Sequence, residues 1–279
     1  MKIGFNLLLW TTFLSEKDFH IIDKLKNAGY DGIEIPIFSG VIEDYEKISK
    51  ILIDNELEST SITVIPDEEH NPISPDIDIR NNAIDYLKWA IDCCEVLNSK
   101  ILCGPFHQPL GVFSGSPPSE DEKKRGIEVH QKISDYAKKY NINLSIEPLN
   151  RFECYFLNTV DDTKKYVNSV NRDNFGMLYD TFHSNIEEKS PINSILNAKK
   201  TINHVHISEN DRGIPGKGHI QWEETFNSLK KINYDGWVTI EAFSRSLPDL
   251  AAATKVWRDF FTTKEQVYKE GYEFKKKLI

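Results

Sequence analysis

The chain has 279 residues, 39% of them hydrophobic and 28% charged, an ordinary globular composition with enough length for one large α/β barrel or two smaller domains. A formal net charge of −9 argues against a protein that grips nucleic-acid phosphates or an anionic membrane surface, and leaves metal ions and neutral small molecules as fitting partners. No stretch reaches the roughly 18 apolar residues of a membrane span.

MKIGFNLLLWTT lacks a cleavage-site pattern and reads as a first strand, Lys2 to Leu9, rather than a signal peptide. Phe19, Ile22, Leu25 and Ala28 recur at helical spacing within 16–28, and Gly29 closes that helix. A second strand (32–38, GIEIPIF), a second helix (41–55) and a third strand (58–65) follow. A proline-rich loop leads to a long helix over 79–97, which contains Cys93 and Cys94. With Cys103 and Cys154 these show no C-x-x-C spacing, and reduced thiols in a cytoplasmic protein are expected. KILCG (100–104) is a fourth strand, followed by a long Gly/Pro/Ser-rich loop of the kind that is functional or mobile. A helix over 120–140 leads to the fifth strand at Leu144–Ile146, and a helix over 160–170 leads to the sixth at 175–179. Ser190-Pro191 has the form of an N-cap and first helical residue. The seventh strand spans 204–208 and is followed by a Gly-rich loop and a helix over 222–232. The eighth spans 237–243, and a last helix or helix pair begins near Pro248.

Eight short apolar strands in strict alternation with helices predict a closed parallel sheet, a single-domain (β/α)8 TIM barrel over residues 1–279. The alternative, an open doubly wound sheet, would need a glycine fingerprint after an early strand, and none is present.

In such a barrel the strand C-termini share one mouth. Strand five runs into Glu147, strand six ends in Tyr179-Asp180, strand seven is His204-Val205-His206, and strand eight runs through Ile240-Glu241. Each residue alone has an ordinary explanation: a strand-end carboxylate, a helix cap, a core histidine. Barrel strands face either the interior or the helices, so the four together call for one cause, and a cation supplies it. Three carboxylates and one imidazole suit a hard divalent ion, Mn2+ or Mg2+, with Co2+ an alternative, better than structural zinc. His204 and His206 share a strand face; His206 is nearer the mouth and His204 is expected one layer deeper.

LSIEPLNRFECYFLNT, MLYDTFHSNIEE, HVHISENDRGIPGKGH and VTIEAF together resemble the D-tagatose 3-epimerase and D-psicose (allulose) 3-epimerase family of xylose-isomerase-like barrels. The resemblance runs from MKIGFNLLLW to KVWRDF and is densest over 144–243. It implies a barrel holding Mn2+ or Co2+ on Glu147, Asp180, His206 and Glu241. It implies a small-molecule ketose epimerised at C3 through a cis-enediolate, with Glu147 and Glu241 working on opposite faces of the sugar. Glu153, His183 and Arg212 match residues that hold the substrate around C1 to C3, and a homodimer or homotetramer is expected. A hydroxypyruvate-type or aldose–ketose isomerase of the same barrels is the nearest rival; a basic nucleic-acid groove is not expected.

The chain departs from better-known members at Asn6, at Leu14 and in the loop 106–110, residues expected at the far end of the sugar, so substrate choice carries over less well than chemistry. The loop Gly213–His219 is no P-loop, because Gly218 follows Lys217; it reads as a lid segment that positions Arg212. Lys275, Lys276 and Lys277 read as a solvated helix end.

Overall fold

The computed structural model describes residues 1–276 and 278. Its strands are β1 (Lys2–Asn6), β2 (Gly32–Pro36), β3 (Glu58–Ile62), β4 (Ile101–Gly104), β5 (Asn143–Ile146), β6 (Phe175–Asp180), β7 (Ile202–Ile207) and β8 (Trp237–Ile240). Each pairs in parallel with the next, and β8 pairs with β1, so the sheet closes as an eight-stranded TIM barrel. Between and after them lie α1 (His20–Ala28), α2 (Ile42–Asp54), α3 (Ile77–Val96), α4 (Glu120–Ala137), α5 (Val160–Val170), α6 (Thr181–Glu187), α7 (Pro191–Asn197), α8 (Trp222–Lys231), α9 (Pro248–Ala253) and α10 (Lys264–Lys276). Among the described helices none is long and apolar enough to cross a membrane.

Local chemistry explains where the elements stop. The first strand ends at Asn6 and not at Leu9, because the Asn6 side chain accepts from the Leu8 N–H (2.8 Å) and turns Leu7–Leu9 into a 3-10 turn. Gly29, at φ +100°, closes α1 in a left-handed conformation that glycine adopts without cost. Ser119 and Glu122 form a capping box at α4, and Ser190-Pro191 starts α7 as expected. The helix α6 follows β6 without a loop, because the last strand residue, Asp180, is itself its N-cap.

Side chains alternate along each strand, so one set of residues faces the helices and the other faces the barrel axis. Phe5, Ile33, Ile35, Leu102, Leu144, Ile146, Met177, Val205, Val238 and Ile240 belong to the main apolar cluster between sheet and helices. The residues between them form the interior: Asn6, Glu34, Thr60, Cys103, Asp180, His204 and His206 are buried and meet across the barrel. The ladder between β6 and β7 shifts by one residue at Asn203, which places Asp180 directly beside His206.

The basic C-terminal tail needs correction. Lys275 is fully buried, because α10 lies against α1 and turns this position toward Asp31; burial lowers its ammonium to about 7. Lys276 is exposed as expected, and Lys277 lies outside the described residues.

Candidate active site

Glu147 and Glu241 each stand one residue beyond a strand, on β5 and β8. Their backbone N–H groups continue the sheet ladder to Gly104 O (3.0 Å) and Ile207 O (3.2 Å), so each carboxylate is carried by nearly regular backbone. Asp180 serves two structures at once. Its Oδ1 accepts from the Phe182 and His183 N–H groups (2.6 and 3.4 Å), and its Oδ2 faces the barrel mouth. Asp180 therefore caps α6 and at the same time stands in the candidate group. His206 Nδ1 lies 3.5 Å from Glu241 Oε1 and 3.8 Å from Asp180 Oδ2 and has no hydrogen-bond partner. Glu147, Asp180, His206 and Glu241 each offer a ligand atom within 4.8 Å of the others, and all four are buried.

Around them stand the other three residues singled out from the sequence. Arg212 Nη1 donates to Glu241 Oε2 (2.6 Å), Ser208 Oγ (3.0 Å) and Asp180 Oδ2 (3.1 Å). Its guanidinium is held between the rings of Phe182 and Phe243, 3.9 and 4.7 Å from their centroids. Its φ of +63° is left-handed, a cost for a non-glycine residue that the surrounding contacts hold in place. His183 Nδ1 accepts from the Asn150 N–H (3.0 Å), which turns Nε2 toward Glu147 Oε1 (3.7 Å) and Arg212 Nη2 (2.9 Å). Glu153 is buried beside them and accepts from Asn150 Nδ2 (2.7 Å).

The electrostatics follow from burying three carboxylates against one guanidinium. Burial, then the charge of Glu241, pushes Glu147 well above the usual carboxylate range. Burial lifts Asp180 to about 6 and Glu153 to about 7. Burial also works against ionised Glu241, but His206 and Arg212 outweigh it and hold Glu241 low. Excess negative charge, an unpartnered imidazole nitrogen aimed into it and an oxygen-rich donor set are what a divalent cation would neutralise, so these residues fit a metal-binding group.

Glu147, Glu153, His183, Arg212 and Glu241 line a cavity of about 340 Å3. Its remaining wall is largely apolar, with Leu8, Phe38, Ile62, Ile65, Leu110 and Phe243. Of the loop 106–110, Leu110 lines this cavity. Asn6 and Leu14 do not: Asn6 is turned inward, onto Glu34 (2.9 Å) and Glu241 (3.2 Å), and Leu14 is buried in the outer apolar cluster.

Glu34, Glu209 and His107 also support the site, and the sequence singles out neither Glu34 nor Glu209. Glu34, in the middle of β2, accepts from His204 and His206 (2.7 Å each); it carries the same signal as Glu147, an acid inside an apolar strand. Glu209, fully buried, accepts from Gly216 N (2.8 Å), Ile220 N (3.2 Å) and Trp222 Nε1 (3.0 Å) and so ties down the Gly213–His219 loop beside Arg212. His107 Nε2 meets Glu147 O at 2.9 Å; burial lowers this imidazole to about 3, so it is neutral and donates to that carbonyl.

A closed parallel barrel with a buried carboxylate–imidazole group at the C-terminal ends of its strands defines a barrel with a metal-binding group. The profile of the xylose isomerase-like TIM barrel family matches residues 22–278. A probable ketose 3-epimerase of Synechocystis sp. is 31% identical over 279 residues, covering 98% of this chain and 95% of the relative. The D-psicose 3-epimerase of Agrobacterium fabrum is 31% identical over 264 residues, 93% of this chain and 91% of the relative. Among solved structures, D-allulose 3-epimerase from Methylomonas sp. in complex with D-allulose superposes with a TM-score of 0.94 at 28% identity, covering 100% of this chain and 97% of that one. The chain therefore belongs to the ketose 3-epimerases of the xylose isomerase-like TIM barrels.

Proposed function

We propose that the protein is a metal-dependent ketose 3-epimerase that interconverts free ketoses of the tagatose, psicose or ribulose type at C3 through a cis-enediolate. The observation that carries this reading is the placement of two buried glutamates, Glu147 and Glu241, on strands separated by β6 and β7, both lining one cavity and both sharing a cation-binding group. Inversion at carbon needs a base on one face and an acid on the other. One glutamate removes the C3 proton, the other returns a proton to the opposite face, and the two exchange roles when the reaction runs backward.

Glu147, Asp180, His206 and Glu241 would hold the ion, Mn2+ by preference with Co2+ or Mg2+ as alternatives. Such an ion supplies Lewis-acid stabilisation of the negative charge that builds on the substrate oxygens. Arg212, fixed between two aromatic rings, adds a preorganised positive charge at the same place. His183 and Glu153 line the same cavity, and the resemblance gives them the role of holding the substrate around C1 to C3. The resemblance to the family also supports assembly as a homodimer or homotetramer, which light scattering reads directly.

The test is to strip the protein with a chelator, restore Mn2+, Co2+ or Mg2+ singly, and assay a panel of D- and L-ketoses with chromatographic separation of products. Activity should vanish and return, with C3 epimers as the products. Full activity in a verified metal-free sample would refute the reading, as would aldose products formed by moving the carbonyl to C1.

A further inference from the structure

We propose that Glu34 is a positioning residue that aims His206 and, through Asn6, Glu241 at the cation group. On this view Glu34, Cys103, His204 and His206 form a closed hydrogen-bond hub and not a second metal site. The proposal rests on the reading that Glu147, Asp180, His206 and Glu241 hold a divalent ion.

Glu34 is fully buried and serves donors from four other strands. Its Oε1 accepts from His206 Nε2 (2.7 Å) and Asn6 Nδ2 (2.9 Å). Its Oε2 accepts from His204 Nε2 (2.7 Å), Thr60 Oγ1 (2.9 Å) and Cys103 Sγ (3.3 Å). A carboxylate has about four lone-pair sites, and these donors use all of them. With Nε2 committed to Glu34, only Nδ1 of His206 is free to act as a ligand, and it is the nitrogen that faces Glu241 and Asp180. An imidazole whose far N–H is fixed by a carboxylate is set in orientation and made more basic as a ligand. Asn6 extends the effect, because its Nδ2 also donates to Glu241 Oε1 (3.2 Å). One buried carboxylate thereby orients two of the four candidate ligands.

Glu34, Cys103, His204 and His206 also offer four donor atoms within 4.8 Å of one another, as they would around a metal. Spacing separates the two cases. The two 2.7 Å contacts to Glu34 are charge-assisted hydrogen bonds. Donors on a tetrahedral ion with bonds near 2.0–2.3 Å stand about 3.3 Å or more apart. The separations around His206 Nδ1, 3.5 and 3.8 Å, have that wider spacing, and the two imidazole contacts to Glu34 do not.

The experiment titrates metal-stripped wild type and Glu34→Gln with Co2+ alone, reading affinity and stoichiometry by calorimetry and the ligand field by visible absorption. Wild type should bind one Co2+ per chain. Glu34→Gln should bind about 10- to 100-fold more weakly, with a shifted absorption spectrum. Unchanged affinity and spectrum in the variant would overturn the positioning role, and two Co2+ per wild-type chain would overturn the hub. Absence of Co2+ binding by wild type would refute the metal reading beneath both. If Glu34→Gln does not fold, wild type labelled with 15N-histidine and loaded with Zn2+ decides. A protonated Nε2 and ligating Nδ1 on His206 support the proposal, and the reverse assignment overturns it.

Discussion

His206 belongs to two clusters built from nearly the same side chains. Toward the mouth it meets Glu147, Asp180 and Glu241; deeper in the barrel it meets Glu34, Cys103 and His204. In the deeper cluster the imidazole contacts to Glu34 are short hydrogen bonds, and Glu34, Cys103 and His204 are not among the residues that line the cavity beside Glu147. In the outer cluster the carboxylates outnumber their cation, one imidazole nitrogen has no partner, and a cavity adjoins. Residue types alone do not distinguish a polar hub from a reactive group. The number of donors available to each buried acid does, since a carboxylate with enough donors is stable as an anion and one without them is left to bind a cation or a proton.

The largest effects fall on the two glutamates of the outer cluster. Glu147→Gln and Glu241→Gln should each lower the epimerisation rate by roughly 10^3-fold or more, beyond what a positioning role would cost. Glu147→Gln should leave circular dichroism and melting of the metal-free chain close to wild type, because burial already holds this acid against ionisation, whereas Glu241→Gln should melt lower, because it removes the carboxylate paired with buried Arg212. Near-normal turnover in either variant would remove the two-carboxylate mechanism. Arg212→Met comes next. The guanidinium is the cation that touches Asp180 and Glu241, so its loss leaves buried carboxylates uncompensated, at a cost of about 3 kcal/mol. That loss should be large in the metal-free chain and much smaller with Mn2+ bound; denaturant melts under both conditions give the difference.

Much of the outer cluster was legible in the sequence, because period-2 alternation and strand ends are local signals. Glu147, Asp180, His206 and Glu241 each stand within one residue of a strand's C-terminal end, and their chain neighbours are enough to say so. Glu34 carries an equally local signal but lies mid-strand, and its meaning depends on partners that β7 brings from 170 residues away. The resemblance puts Asn6 at the far end of the sugar; only the closure of β1 against β8 shows it turned onto Glu241. Lys275 fails for the reverse reason. A basic run at a helix end ordinarily points to water, and the packing of α10 on α1 is a long-range fact that overrides it.

Glu34 and Glu153 show the same difference between single residues. Both are buried glutamates, but Glu34 has five donors and is held well below the usual range by His206 and His204 against its burial. Glu153 has Asn150 as its side-chain donor, and burial lifts it to about 7. A carboxyl whose folded-state pKa is raised binds its proton more tightly when folded. Its stabilising share is complete below the unfolded value near 4.3 and is lost as pH rises toward about 7. Glu153→Gln should therefore match wild type at pH 4 and exceed it at pH 8, by up to ~3 kcal/mol, in metal-free urea melts. A stability difference that does not change with pH would show that Glu153 ionises normally.

Cys103 tests the deeper cluster with the smallest expected effect. Its Sγ lies 3.3 Å from Glu34 Oε2 and 3.9 Å from His206 Nε2, close enough to be a thiolate ligand if a metal sat there. Burial, and then the charge of Glu34, pushes the thiol well above its ordinary value, so it stays S–H and acts as a weak donor. The two roles diverge on substitution. Losing a weak S–H donor should change Mn2+ affinity by no more than about threefold in Cys103→Ala, and in Cys103→Ser the hydroxyl can replace the donor. Losing a thiolate ligand would remove a bound ion or weaken it by orders of magnitude. Calorimetric titration of both variants with Mn2+ therefore separates a hub that merely aims His206 from a cluster that binds metal in its own right.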